Sequence, residues 1–193
     1  MITARAAGAH RAPAVVIVIG VATVVRALVG GPAPAASVPA AILFSGGLAT
    51  AVVWGGARVT PLSWRGAAMG LAGAAALVAL SLLGLPAVVF GARAAASALL
   101  WWVPLVTVVA AVEELVLRGV LFDAVRSQSG DAVAVAVTAL LFAVIHLPLY
   151  GIQSLPIDLC VGVFLGSLRL ASGDVTAPLV AHVLADLATG WVG

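Results

Sequence analysis

The sequence predicts an all-α fold, a polytopic transmembrane helical bundle of about seven spans with its N-terminus inside. Three observations predict it. Charged residues make up 8% of the chain and hydrophobic residues 64%, with a mean hydropathy of +1.26. A soluble domain carries about 25% charged residues, so this chain cannot cover a water-facing surface. Apolar runs of membrane-crossing length alternate with short stretches of Gly, Pro, Ser and Arg. The 193 residues suit one membrane domain, 1–193, of about six to eight spans at roughly 20 residues each. Finally, once the spans are counted, the arginines fall almost entirely on one side, as the positive-inside rule requires.

The first span is expected at about Pro13 to Val29. The basic residues before it and its apolar run resemble a signal peptide, but no clear A-x-A cleavage site follows and more spans do, so it reads as a retained helix. Arg26 lies within snorkelling distance of its end. Gly30-Gly31-Pro32-Ala33-Pro34 forms a stiff loop, and span 2 follows from Val38 to Ala57. Span 3, Gly66 to Leu85, carries Gly66, Gly70 and Gly73, a small-residue face for close helix approach. Gly84-Leu85-Pro86 breaks it.

Span 4 is long, Ala95 to Val125, with an expected kink at Pro104. Ser127 to Asp131 is a polar turn, and span 5 runs from Asp131 to Leu147, where Pro148 is expected to stop it. Span 6 covers Ile157 to Leu170, and span 7 covers Val175 to Val192. On this count Arg5, Arg11, Arg58, Arg65, Arg126 and Arg169 are inside and Arg93 outside.

Composition also narrows the partners. The net charge of +2 is too small for nucleic-acid binding. All nine basic residues are Arg, which with the Ala, Val and Gly richness points to GC-rich coding and a bacterial cell membrane. The single cysteine, Cys160, excludes an internal disulfide and a cysteine-based metal site. It reads as a small buried hydrophobe.

Against this background, Glu113-Glu114-Leu115-Val116-Leu117-Arg118 stands out. Ionised groups inside a membrane span are costly and mark function by default. Neighbouring helical residues point about 100° apart, whereas i and i+4 share a face. Glu114 and Arg118 therefore pair on one face, acid first, which is the favourable order. Glu113 faces elsewhere, without a same-helix cation, and is available to water, a metal or a proton.

Two more spans carry polar groups at the same spacing, Phe142 with His146 and His182 with Asp186. At about 1.5 Å per residue, Glu113 lies about 20 Å above Arg126 and His146 about 22 Å above Asp131. His182 and Asp186 lie about 12 and 18 Å above Asp174. A lone histidine or Glu–Arg pair in a membrane is ordinary packing, but three spans bringing such groups to one layer is not. Asp158 has no helical partner; its expected place is beside Arg26 or near the end of span 6.

Glu-Glu-x-x-x-Arg, Phe-x-x-x-His and His-x-x-x-Asp, in this order, resemble the CPBP family of CAAX-protease and bacteriocin-processing (Abi-type) membrane endopeptidases. That family includes the Ras-converting CAAX endopeptidase. The likeness covers about Ala94 to Leu187, spans 4 to 7, the family-like catalytic core 94–187. It includes Arg118-Gly119, His146-Leu147 and the Gly166…Gly173-Asp174 approach to the last motif. The chain departs from the family at Leu117, where an aromatic is frequent, and at Asp186, where Asn is common. An amide donates to an oxyanion; an ionised carboxylate repels it.

The resemblance implies a glutamate-dependent intramembrane endopeptidase acting on a peptide or protein at the bilayer. No Ser–His or Cys–His pair is evident, so the nucleophile is water. Glu113 is then the base, His146 holds the water and shuttles its proton, and His182, with Asp186 behind it, meets the oxyanion. Glu114, Arg118 and Phe142 support them. A zinc version stays open, since Glu113, His146 and His182 are the ligand types of many catalytic zinc sites, although H-E-x-x-H is absent. Two other classes remain: a non-enzymatic scaffold or immunity protein on the same fold, and a proton-coupled transporter, which predicts paired broken helices in related halves.

Overall fold

A computed structural model describes residues 11–56, 62–82 and 99–192. Arg5, Arg58, Arg93, the Gly84-Leu85-Pro86 break and the expected start of span 4 lie outside them. Every described element is helical. In chain order these are α1 (Arg11–Gly30), α2 (Val38–Trp54), α3 (Trp64–Leu82), α4 (Leu99–Glu114), a π-helical segment (Leu115–Leu121), α5 (Phe122–Ser129), α6 (Asp131–Tyr150), a 3-10 turn (Ile152–Ser154), α7 (Leu155–Ser172) and α8 (Thr176–Val192).

Four helical stretches are long and apolar enough to cross a bilayer: Ala12–Gly30, Trp64–Leu82, Asp131–Tyr150 and Ile152–Ser172. Val38–Trp54 and Thr176–Ala188 are apolar but shorter. Large side chains such as Leu28, Val53, Trp64 and Leu100 point outward. In water they would form an aggregating surface; against lipid tails they cost nothing. The chain is an integral membrane protein.

Small residues set the helix contacts that position the interior. α3 packs most extensively on α8. At Gly70 a Cβ would lie 2.6 Å from Val180 Cβ and 2.8 Å from the Ala177 carbonyl; at Gly73 it would lie 3.2 Å from Ala181 Cβ. The glycine face expected on span 3 is thus the α3–α8 seam. α6 and α7 meet equally closely, because a Cβ on Gly162 would lie 2.8 Å from Ala139 Cα. The ends of α3 and α8 nearest the membrane surface are tied by polar groups. Ser63 Oγ donates to Asp174 Oδ2 (2.6 Å), the Thr176 N–H donates to Asp174 Oδ1 (2.8 Å), and the Ser63 N–H reaches Thr176 Oγ1 (3.2 Å).

Several expectations are corrected by packing. The expected single α-helix of span 4 switches to π geometry just after Glu114, with the Phe122 N–H donating to the Leu117 carbonyl, five residues back. Such widened turns leave backbone groups poorly served and recur at functional sites. Here Arg169 of α7 compensates: its Nε–H donates to the Arg118 carbonyl (2.8 Å), while Nη2 reaches Asp123 Oδ1 (2.7 Å).

Span 5 does not stop at Pro148. α6 runs on to Tyr150 and ends at Gly151, whose φ of 80° only glycine adopts readily. A proline so near a helix end frees one carbonyl without disrupting the turn. Cys160 is exposed rather than buried. The buried face of α7 is Asp158, Val161, Gly162, Leu165, Gly166 and Arg169, and Cys160 lies on the opposite side.

Candidate active site

The polar layer is built around Glu114. Its Oε1 accepts from Arg118 Nη1 (2.8 Å), the intrahelical pair expected from spacing, and also from His182 Nδ1 of α8 (2.9 Å). Arg118 Nη2 continues to the Gly162 carbonyl of α7 (3.2 Å). Both Glu114 and Arg118 are fully buried. An unpaired arginine at membrane depth costs about 3 kcal/mol or more, so this pair, with a carbonyl cap, is what makes a charged helix tolerable there. Glu114 therefore does more than neutralise Arg118; it also clamps α8 to α4.

Phe142 is the packing wedge between the motifs. Its ring lies 4.4 Å from that of His146 and 5.4 Å, edge-on, from that of His182, and the Arg118 guanidinium sits 4.8 Å from its centroid. Its carbonyl accepts from His146 Nδ1 (2.7 Å). A carbonyl cannot donate, so Nδ1 carries a proton, and when the ring is neutral Nε2 carries the lone pair. The i,i+4 spacing thus does two jobs, stacking the ring and fixing the tautomer. His146 also stacks on Tyr150 at 5.9 Å, a residue that the extra turn of α6 supplies.

His182 does not face open space, as its expected role at the oxyanion would need. Nδ1 bonds Glu114, and Nε2 lies 3.5 Å from Asp186 Oδ2. The imidazole is held between two carboxylates, and Asp186 is its orienting partner on the outer side.

Glu113 points away from Glu114, as helical geometry requires, into a cavity of about 290 Å³. The wall includes Arg26, Ser37, Glu113, His146, Tyr150 and Asp186, with Trp101, Trp102, Leu105, Val106 and Val109 of α4 forming an apolar flank. His182 and Glu114 stand behind this wall. The cavity follows α4 from Glu113 to Trp101, a rise of about 18 Å.

Arg26 is the residue that sequence reasoning misplaced. It does not snorkel, and it does not pair with Asp158. It is buried, with Nη1 3.8 Å from Glu113 Oε1 and its guanidinium 4.6 Å from the centroid of Phe44. Glu113 thus has a cation after all, from another helix. The depth ruler would have found it: Arg26 lies 15 residues beyond Arg11, about 22 Å up the span, level with Glu113 and His146. Asp158 sits apart, buried in the first turn of α7.

Among the described residues, no group of three or more His, Cys, Asp or Glu side chains is placed to hold a metal ion. His182 lies between two carboxylates, with Nδ1 2.9 Å from Glu114 Oε1 and Nε2 3.5 Å from Asp186 Oδ2, while His146 Nδ1 is bonded to the Phe142 carbonyl.

Comparison with curated proteins and with solved structures gives no match. A family model does match, over residues 95–188, the stretch from α4 to α8 that holds Glu113, Glu114, Arg118, Phe142, His146, His182 and Asp186. Over this segment the chain is similar to the family described as type II CAAX prenyl endopeptidase, Rce1-like, a family of membrane proteases.

Proposed function

We propose that this protein is an intramembrane endopeptidase in which Glu113 activates a water molecule for attack on a peptide bond lodged in the cavity. One observation carries the reading: Glu113, His146, Asp186 and Arg26, from four different helices, face the same cavity of about 290 Å³. That volume is at the small end for ligand sites. It suits the scissile segment of an extended chain, with the rest of the substrate outside.

In this reading the Glu113 carboxylate takes a proton from water as the hydroxide oxygen bonds to the carbonyl carbon. The C=O electron pair moves onto oxygen. When the tetrahedral species collapses, that pair re-forms C=O, the C–N bond breaks, and the proton held by Glu113 goes to the leaving amine. A positioned general base of this kind contributes about 10²- to 10⁴-fold. His146, its Nδ1–H pinned by the Phe142 carbonyl, presents Nε2 to the water and relays the proton. His182 and Asp186 hold the α8 wall in register with Glu114.

The family description supports a prenylated CAAX peptide as the substrate class, and the Trp101–Val109 flank is apolar enough for a lipid-anchored chain. The arginine distribution supports seven spans with the start of α1 on the cytoplasmic side, in a bacterial inner membrane. A C-terminal tag cleaved only from outside sealed spheroplasts is the expected result for this topology; cleavage from the cytoplasmic face refutes it.

The activity is tested with purified protein in liposomes and a farnesylated reporter peptide ending in a CAAX sequence. Wild type cleaves it, and Glu113→Ala and His146→Ala each abolish cleavage while still inserting and purifying. Full activity in both variants refutes the assignment and favours a scaffold on the same fold.

A further inference from the structure

We infer that Arg26, contributed by α1 from outside the family-matched segment, is the group that meets the oxyanion, doing the work that an amide at position 186 does where Asn stands there. The inference rests on the endopeptidase reading above.

The two buried arginines near the glutamates behave differently. Arg118 is engaged through both terminal nitrogens, Nη1 at 2.8 Å from Glu114 and Nη2 at 3.2 Å from the Gly162 carbonyl, and does not line the cavity. Arg26 is in the wall, yet its approach to Glu113 stops at 3.8 Å, beyond the 2.7–3.2 Å or so of a hydrogen bond. Its Nε, like that of Arg118, is buried without a hydrogen-bond partner, but no terminal nitrogen of Arg26 is taken by a carbonyl. A guanidinium has five N–H donors, and that of Arg26 borders the cavity with only the 3.8 Å ion pair to Glu113 engaging it there.

Distances then select the role. A water activated by Glu113 sits about 2.6–3.2 Å from the carboxylate and attacks a carbonyl about 3–3.5 Å away. A cation 3.8 Å from the same carboxylate is therefore beside the scissile carbonyl. It is too near to bind a free C-terminus three residues downstream, which an extended chain places about 10 Å away.

The departure at Asp186 makes a cation necessary. A carboxylate in the wall repels the developing negative charge, and His182 has both ring nitrogens turned to carboxylates. Among the described residues, the titratable groups facing the cavity are Arg26, Glu113, His146, Tyr150 and Asp186; of these only Arg26 carries a permanent positive charge.

The test uses the full chain in liposomes with the farnesylated CAAX reporter and a phosphonamidate analogue of it, a tetrahedral anionic mimic of the transition state. Arg26→Gln is expected to lower kcat about 10²- to 10³-fold with KM little changed, at every pH from 5 to 9. Analogue affinity should fall in parallel with kcat. Arg26→Lys recovers part of both, and Asp186→Asn restores activity to the Arg26→Gln protein by supplying an amide donor. If Arg26 is only a counter-ion that keeps Glu113 ionised, the loss disappears at high pH and analogue binding is unchanged. That result, or a wild-type kcat in Arg26→Gln, overturns the inference while Glu113-dependent cleavage remains. If wild type does not cleave the reporter, the endopeptidase reading fails separately. Analogue binding then decides on Arg26: affinity that is absent, or insensitive to Arg26→Gln, overturns the inference.

Discussion

The two halves of the chain carry complementary parts of one charge balance. All seven acidic residues lie at or beyond Glu113, and α1 to α3 contain none. The C-terminal half brings Glu113, Glu114 and Asp186 into the polar layer with one guanidinium, Arg118. The second guanidinium, Arg26, comes from α1. The segment that matches the family thus holds the reactive groups without balancing them. The N-terminal helices, whose likeness to the family is only their hydrophobicity, would complete the proposed site.

The contrast is broken most severely at Glu113. Glu113→Gln keeps the shape and removes the base, so kcat should fall by about 10²- to 10⁴-fold with the thermal midpoint in detergent unchanged or raised. An unfolded Glu113→Gln protein would instead make Glu113 a structural group like Glu114.

Arg118→Met should do the opposite. It strands a fully buried Glu114 and is expected to cost about 3–5 kcal/mol, measured as loss of the folded fraction in thermal unfolding. Arg26→Met should cost markedly less, because its ion pair is longer and borders a cavity. Equal losses would erase the distinction between the sealed and the open arginine.

The seam joining the halves comes next. Gly70→Leu places a side chain where Val180 and the Ala177 carbonyl already sit, and overpacking of this kind costs about 1–3 kcal/mol. Activity of the surviving folded protein should fall too, since α8 carries His182 and Asp186. A neutral result would mean that α3 is free to move away.

The smallest effect belongs to the surface tie between Ser63 and Asp174. Partial burial opposes ionisation of Asp174, but hydrogen bonds from Ser63 and Thr176, aided by the charge of Arg169, hold its carboxyl below the usual carboxylate range. A depressed folded-state value means that the contribution is present above the unfolded value of about 3.9 and is lost as pH falls through the folded one. Asp174→Ala should cost about 1 kcal/mol at neutral pH and flatten the acid limb of a stability–pH curve. An unchanged acid limb would assign acid sensitivity to other groups.

Much of the site was legible because its motifs are local. Glu114–Arg118, Phe142–His146 and His182–Asp186 are each one helical turn apart, and that geometry is dictated by any helix before it packs. The membrane class was legible too, since a chain with 8% charged residues cannot make a soluble surface. What the sequence could not determine is how each helix rotates about its axis and what it meets there. Cys160 lies in an apolar run, yet it faces outward because Gly162 and Gly166 turn the other side of α7 towards α6. The π segment depends on Arg169 of α7 taking the Arg118 carbonyl, and a carbonyl's partner across 51 residues has no local signal. His182 was expected to face a substrate; tertiary packing placed a carboxylate at each of its nitrogens. Arg26 was visible as a costly charge, but only the packing of α1 beside α4 gave it Glu113 as a partner. Helical periodicity is a property of one segment and can be read from it. Ion pairing between segments is decided by the low dielectric they create together, and that exists only once they have packed.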